Sequence, residues 1–165
     1  MAKVPQSFRH PETGRVLHRA VRPMEIVYKG LAETVDAPGW YPGDPASTEE
    51  AIFSSSDCRI TDRIFNKLKA VAKGLLPPAE VRRVRRRLRL GGRPVSQVMA
   101  GNILCADPKA FRGYEIGDAV VTRELDCLLR LLDKNPAAFS QLPSAQRYLR
   151  EYDSGSGSQT PNFYD

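Results

Sequence analysis

The chain has 165 residues, of which 41% are hydrophobic and 27% charged, and its formal net charge is +6. That balance is ordinary for a globular protein and leaves room for one domain or two small ones. Cys58, Cys105 and Cys127 form no C-x-x-C pair, which argues against a disulfide framework and against structural zinc.

No apolar run approaches the roughly 18 residues of a membrane span, and the opening MAKVPQSFRHPETG lacks the apolar core of a signal peptide. A protein of a reducing cytoplasm, with no membrane partner, no metal and no cofactor, is expected. The positive charge fits an acidic partner such as nucleic acid without deciding for one.

Up to about Ser56, Pro5, Pro11, Pro23, Pro38, Pro42 and Pro45 make long helices improbable. Within this zone MEIVYKGLAETVDAPGWY reads as two short strands around Lys29-Gly30, with Ile26 and Tyr28 alternating with Val27 and β-branched Thr34 and Val35 on the return. A lone hairpin is marginal, so it needs a further surface to pack on. Tyr28, Trp40 and Tyr41 are the candidate residues for a bound partner, although Trp40 and Tyr41 also fit as the module's own apolar anchors. GDPASTEE then reads as an exposed loop. Glu33 and Asp36 read as surface carboxylates, and His10, His18 and Cys58 match no metal or catalytic spacing.

A helical zone follows. Asp57 or Thr61 could cap ITDRIFNKLKAVAKGLL, whose Ile64, Phe65, Leu68, Val71 and Ala72 fall on one stripe. Pro77 and Pro78 open the next helix, with Glu80 in its first turn. There Val81, Val84 and Leu88 recur at i, i+3 and i+7, while Arg82, Arg83, Arg85, Arg86, Arg87 and Arg89 take the other faces. Such a charge run is either a solvated helix face or a phosphate-contacting one.

Gly91 and Gly92 stop this helix. A short helix over 94–99 is expected next, then a long turn, AGNILCADP, then a helix over 109–115. Last comes TRELDCLLRLLDKNP, with Leu125, Leu128, Leu129 and Leu132 turned inward and a dimer seam as the second reading of its leucines. The tail DSGSGSQTPNFYD is flexible by composition, and its Phe163 and Tyr164 could form a short docking motif.

The sequence pattern therefore predicts an α+β chain in three parts. Residues 1–56 form a β-hairpin module, 57–142 a helical helix-turn-helix domain, and 143–165 a tail. In such a domain the second motif helix lies in the major groove. Ala110, Phe111 and Tyr114 would face the core, leaving Lys109, Arg112 and Gly113 outside. Lys109 and Arg112 are then the candidates for base contact, and Arg83, Arg86 and Arg93 those for phosphate contact.

PETGRVLHRAVRPMEIVYKGLAETVDAPGWYP, ITDRIFNKLKAVAKGLLPPAEVRRVRRRLRL, KAFRGYEIGD and LLRLLDKNP, in that order, resemble MqsA-type antitoxins with a C-terminal Xre-like domain. The most specific pieces are the YKG…TVD with PGWYP, and the A-F-x-x-Y-E-x-G core with LLRLLD behind it. The resemblance covers about His10 to Leu142. It implies a lambda-repressor-like helical domain and a homodimer that binds the operator of its own operon and holds a cognate toxin through the partner-binding module of residues 1–56. The residues themselves offer no nucleophile–base or metal constellation, so no enzymatic activity is expected.

The family usually has Asn before the A-F pair and a basic residue before Y-E. Lys109 and Gly113 stand there in this chain, with Arg112 alongside, so other bases would be read. His10-Pro11-Glu12-Thr13 occupies the place of the zinc-binding cysteine pair, so no zinc is expected. Set against the family's helix-opening L-[ST]-Q-x-E-A, Leu90-Gly91-Gly92-Arg93-Pro94-Val95 would lack the capping hydroxyl and the Gln. The turn between the motif helices would also be about five residues longer than the usual 3–4. A second reading follows from those two departures: an interaction protein that kept the fold without reading an operator.

Overall fold

The computed structural model of the chain describes residues 4–44 and 51–155, the last three by their backbone alone. Most of the GDPASTEE loop, and Phe163 and Tyr164, lie outside the described residues. The fold is α+β, a small three-stranded antiparallel sheet followed by several helices. It divides into two compact units, Met1–Gly74 and Leu75–Asp165.

In the first unit, strands β1 (Ser7–Arg9), β2 (Val16–Tyr28) and β3 (Leu31–Pro42) pair in the order β1-β2-β3. Lys29 (φ 48°) and Gly30 (φ 80°) turn the β2–β3 hairpin. Positive φ at both centres of a two-residue loop is the conformation whose twist matches the flanking strands. The strands run to 13 and 12 residues, well beyond the short pair expected. Pro23 and Pro38 do not interrupt them, because they stand opposite Asp36 and Val21 at positions whose nitrogen points away from the partner strand.

Helix α1 (Ser55–Ala72) packs on this sheet. Tyr28 meets Phe65 edge-on at 5.1 Å, and the Lys67 ammonium binds the Glu33 carboxylate at 2.6 Å. The helix therefore belongs with the sheet, and the boundary falls after Gly74 instead of at Ser56. A two-stranded ribbon exposes too much apolar surface to stand without such a cover.

The cap also differs from the expected Asp57 or Thr61. Ser54 is the N-cap, and Asp57 completes a capping box as its third residue. Thr61 lies within the helix, where its hydroxyl donates to the Cys58 carbonyl at 2.8 Å. Leu68 and Ala70 are buried, whereas Phe65, Val71 and Ala72 of the expected stripe are exposed.

The second unit opens with α2 (Pro78–Arg87) and a two-residue-stranded hairpin, β4 (Arg89–Leu90) and β5 (Arg93–Pro94), turning at Gly91 and Gly92 (φ 55° and 77°). Helices α3 (Gln97–Cys105), α4 (Ala110–Ile116) and α5 (Arg123–Lys134) follow, then a 3-10 helix (Pro136–Gln141) and α6 (Pro143–Gly155). Val81, Val84 and Leu88 are buried as their spacing predicts, together with Leu125, Leu129 and Leu132; Leu128 is half-buried against the same core. Residues 143–155 are helical where a tail was expected. Ala145 is buried, and Tyr148 and Leu149 pack on the core at i+3 and i+4 from it.

Candidate nucleic-acid interface

The α3–α4 pair is built differently from the sequence expectation. Ser96 caps α3, its hydroxyl accepting from the Met99 N–H at 3.1 Å, and Gln97 is the first helical residue. The capping hydroxyl and the Gln absent from Leu90–Val95 are therefore present five residues later. AGNILC is helix, not turn, and only Ala106–Lys109 connect α3 to α4. Gly91-Gly92, the positions set against the family's helix opening, turn a hairpin instead.

Two local features make this short connection possible. Ala106 adopts the left-handed conformation (φ 54°), which costs an alanine about 1–2 kcal/mol, and its N–H donates to the Gly101 carbonyl. A Cβ on Gly101 would stand 2.3 Å from the Asp107 carbonyl oxygen. The bare glycine lets the connection lie directly on α3. The Asp107 carboxylate then accepts from the Lys109 N–H at 2.9 Å.

α4 is clamped from both sides. Phe111 is fully buried, and Tyr114, half-buried, meets it edge-on at 6.1 Å. Glu115 is also buried and takes both branches of the Arg85 guanidinium, Nη2 at 3.0 Å and Nε more closely. The Gln97 amide donates to the same carboxylate at 2.8 Å, and Arg82 Nε lies 3.5 Å away. Arg85 additionally donates to the Val95 carbonyl at 2.7 Å. Burial alone would raise the Glu115 pKa; the hydrogen bonds from Arg85 and Gln97 and the charges of Arg85 and Arg82 outweigh it and hold the group below the usual carboxylate range. One carboxylate thus ties α4 to both α2 and α3. Sequence reading missed this clamp, although the Y-E pair was noted.

The cations divide sharply between the two helices. Arg83 binds Glu80 and, with both terminal nitrogens, Asp133 at 2.8–3.0 Å. Arg87 binds Asp133 as well, and Arg89 donates to the Arg86 and Leu88 carbonyls. Arg83 is thus engaged within the unit, not presented as the expected phosphate contact. Arg93 lies over the Tyr152 ring at 5.8 Å. Arg86, Lys109 and Arg112 are exposed and make no side-chain hydrogen bond or ion pair among the described residues. Lys109 is the cap residue before α4 and Arg112 follows at the i+3 position, so both leave the same side of the helix.

In the sheet unit the three candidate partner contacts are internal. Trp40 is buried, donates from its indole to the Pro5 carbonyl at 3.0 Å and carries Arg19 over its ring at 4.6 Å. The buried Tyr41 donates to the Ala37 carbonyl at 2.7 Å, and Tyr28 rests on Phe65. As docking residues Trp40 and Tyr41 are corrected, since both are buried in the unit itself; Tyr28 is half-buried. Asp57 fastens the start of α1 by a two-pronged bond to Arg19 at 2.6 and 2.8 Å. Those bonds hold its carboxyl well below the usual range, against the opposing effect of burial.

The His10 ring accepts the Glu12 and Thr13 N–H groups through Nδ1 at 3.2 and 3.3 Å, closing the turn by hydrogen bonds. Among the described residues no group of three His, Cys, Asp or Glu could hold a metal ion, and no helix is long and apolar enough to cross a membrane. No protein-family model matches the chain, and no curated protein matches it either.

Proposed function

We propose that the chain is a non-enzymatic, cytoplasmic DNA-binding repressor of the antitoxin type. Its helical unit would act as an Xre-like helix-turn-helix domain and bind its own operator as a homodimer, while its sheet unit holds a cognate toxin. The observation that carries this reading is the α4 surface. Lys109 and Arg112, the cap residue and the third residue of a short helix whose pose Phe111 and Glu115 fix, stand exposed and unpaired among the described residues. Base recognition needs side chains that are both free and held in register.

Two further features support it. The four-residue connection Ala106–Lys109 fits the 3–4 residues usual in the motif. Val95-Ser96-Gln97-Val98-Met99-Ala100 aligns with the family's L-[ST]-Q-x-E-A in the hydroxyl, the Gln and the Ala. With those features accounted for, the grounds for an operator-blind interaction protein, the long turn and the missing cap, no longer hold. The exposed Leu131 on α5 is a candidate for the dimer seam, and a two-fold protein implies a palindromic operator with half-sites about one helical turn apart.

The test is an electrophoretic shift with a duplex from the region upstream of the chain's own gene. A shift that weakens steeply with salt, and that the double variant Lys109→Ala with Arg112→Ala abolishes, supports the reading. No shift at low salt refutes it.

A further inference from the structure

Between the pairs Val21–Pro38 and Tyr28–Leu31, only one face of the β2–β3 hairpin is covered. α1 lies on the side carrying Tyr28 and Glu33. The two-residue turn makes Tyr28 and Leu31 a hydrogen-bonded pair. Alternation then puts Val21–Pro38, Pro23–Asp36, Glu25–Thr34 and Val27–Ala32 at non-hydrogen-bonded positions, with their side chains on the other face. There Val21 is 62% and Val27 56% exposed. The only charged groups in these four pairs are Glu25 and Asp36, and neither carboxylate has an ion pair among the described residues. An acidic, apolar face is a marked departure in a chain of net charge +6.

The edges of the hairpin are guarded. The same register turns the backbone nitrogens of these eight residues toward the two free edges. Pro23 removes a donor from one edge and Pro38 from the other, a device that discourages an added strand. What remains for a partner is the face.

We propose that this open face docks a partner protein through a basic surface, with an apolar centre seated on Val21 and Val27 and Lys or Arg side chains pairing with Glu25 and Asp36. A purely apolar partner would bury two unpaired carboxylates, which is costly, and an acidic one would be repelled. The proposal rests on the partner-holding half of the function above, and names its surface and the charge of what it holds.

The experiment titrates the full chain calorimetrically with the purified product of the reading frame adjacent to its gene, at low and at raised salt. Glu25→Lys with Asp36→Lys should weaken binding on the order of 100-fold and remove its salt dependence. Val21→Ser with Val27→Ser should weaken it roughly 10-fold, and Pro38→Ala, which trims the rim of the face, should weaken it by no more than about twofold. All three variants should keep the wild-type melting temperature within about 2 °C and the wild-type DNA shift.

Wild-type affinity in both face variants overturns the proposal, as does tighter binding by Pro38→Ala, which would indicate strand addition at the edge. Absence of any complex with the wild-type chain overturns it together with the partner-holding reading. Failure of the DNA shift alone touches only the operator reading.

Discussion

Helix α2 and α4 differ in what they do with positive charge. α2 and the strand after it carry six arginines between Arg82 and Arg89; α4 and the residue before it carry two cations, Lys109 and Arg112. Yet Arg82 and Arg85 are turned to Glu115, and Arg83 and Arg87 to Asp133, so Arg86 is the only one of the α2 arginines left without a side-chain partner among the described residues. The sparse helix presents both of its cations. Charge density along a sequence measures how many counter-charges the fold must find, and only the remainder is available to a ligand. Between these two helices the remainder lies mainly at α4.

The largest test of that contrast is Glu115→Ala. It strands Arg85 and the Gln97 amide, and breaking a buried pair by removing one partner costs about 3–5 kcal/mol. Chemical denaturation should show the loss, and the operator shift should vanish with it although no proposed DNA contact has changed. Glu115→Gln keeps the shape and an acceptor without the charge, and should fall between the two.

Asp57 does in the sheet unit what Glu115 does in the helical one. Asp57→Asn should lower stability by a comparable amount, on the order of 3 kcal/mol. Both carboxyls titrate lower in the folded chain than their unfolded values. Their stabilisation is therefore complete above the unfolded carboxylate range of about pH 4 and is lost progressively as the pH falls below it. Melting temperature measured from pH 7 down to pH 3 should drop at the acid end, and should drop less in Asp57→Asn than in the wild type.

Smaller, and aimed directly at the comparison, are variants at the proposed DNA contacts. Lys109→Ala and Arg112→Ala should each cost about 1–3 kcal/mol of operator affinity and relax sequence preference. Arg83→Ala should leave affinity within about twofold, and Arg86→Ala should weaken operator and random DNA equally. If Arg83→Ala proves as damaging as Arg112→Ala, the division between spent and free cations is wrong. The smallest effect is expected at Ala106, where glycine relieves the left-handed backbone: Ala106→Gly should stabilise the chain by about 1 kcal/mol in a thermal melt.

Local features of the fold were legible in the sequence. Lys29-Gly30 announced its turn, Val81, Val84 and Leu88 their buried face, and Phe111 the orientation of α4, because each depends on neighbours within a few residues. The arginines' partners were not legible, since Glu115 is 30 residues from Arg85 and Asp133 is 50 from Arg83, and no local pattern records such a distance. Gly91-Gly92 misled for a related reason. Two glycines read as a helix stop or as a hairpin turn, and only the pairing of Arg89 with Pro94 distinguishes these. Ser96 before Gln97 was the overlooked signal, a capping residue opening the helix that the glycines had appeared to own. Trp40 and Tyr41 could be ranked as anchors from their size, but that they lie inside the sheet unit emerges only with α1 and Phe53 in place.

Gly101 has a consequence for how this surface can change over generations. The gap between α3 and the residues leading to Lys109 is set by main chain on one side and by the missing methyl of a glycine on the other. Any side chain at 101 must push the Asp107 carbonyl, and Lys109 moves with it. Its neighbour Asn102 is exposed and has no such constraint. Selection from a randomised pool for retained operator binding should return glycine at 101 and nearly anything at 102. The least replaceable position of the reading surface would then be one that touches no ligand and carries no side chain.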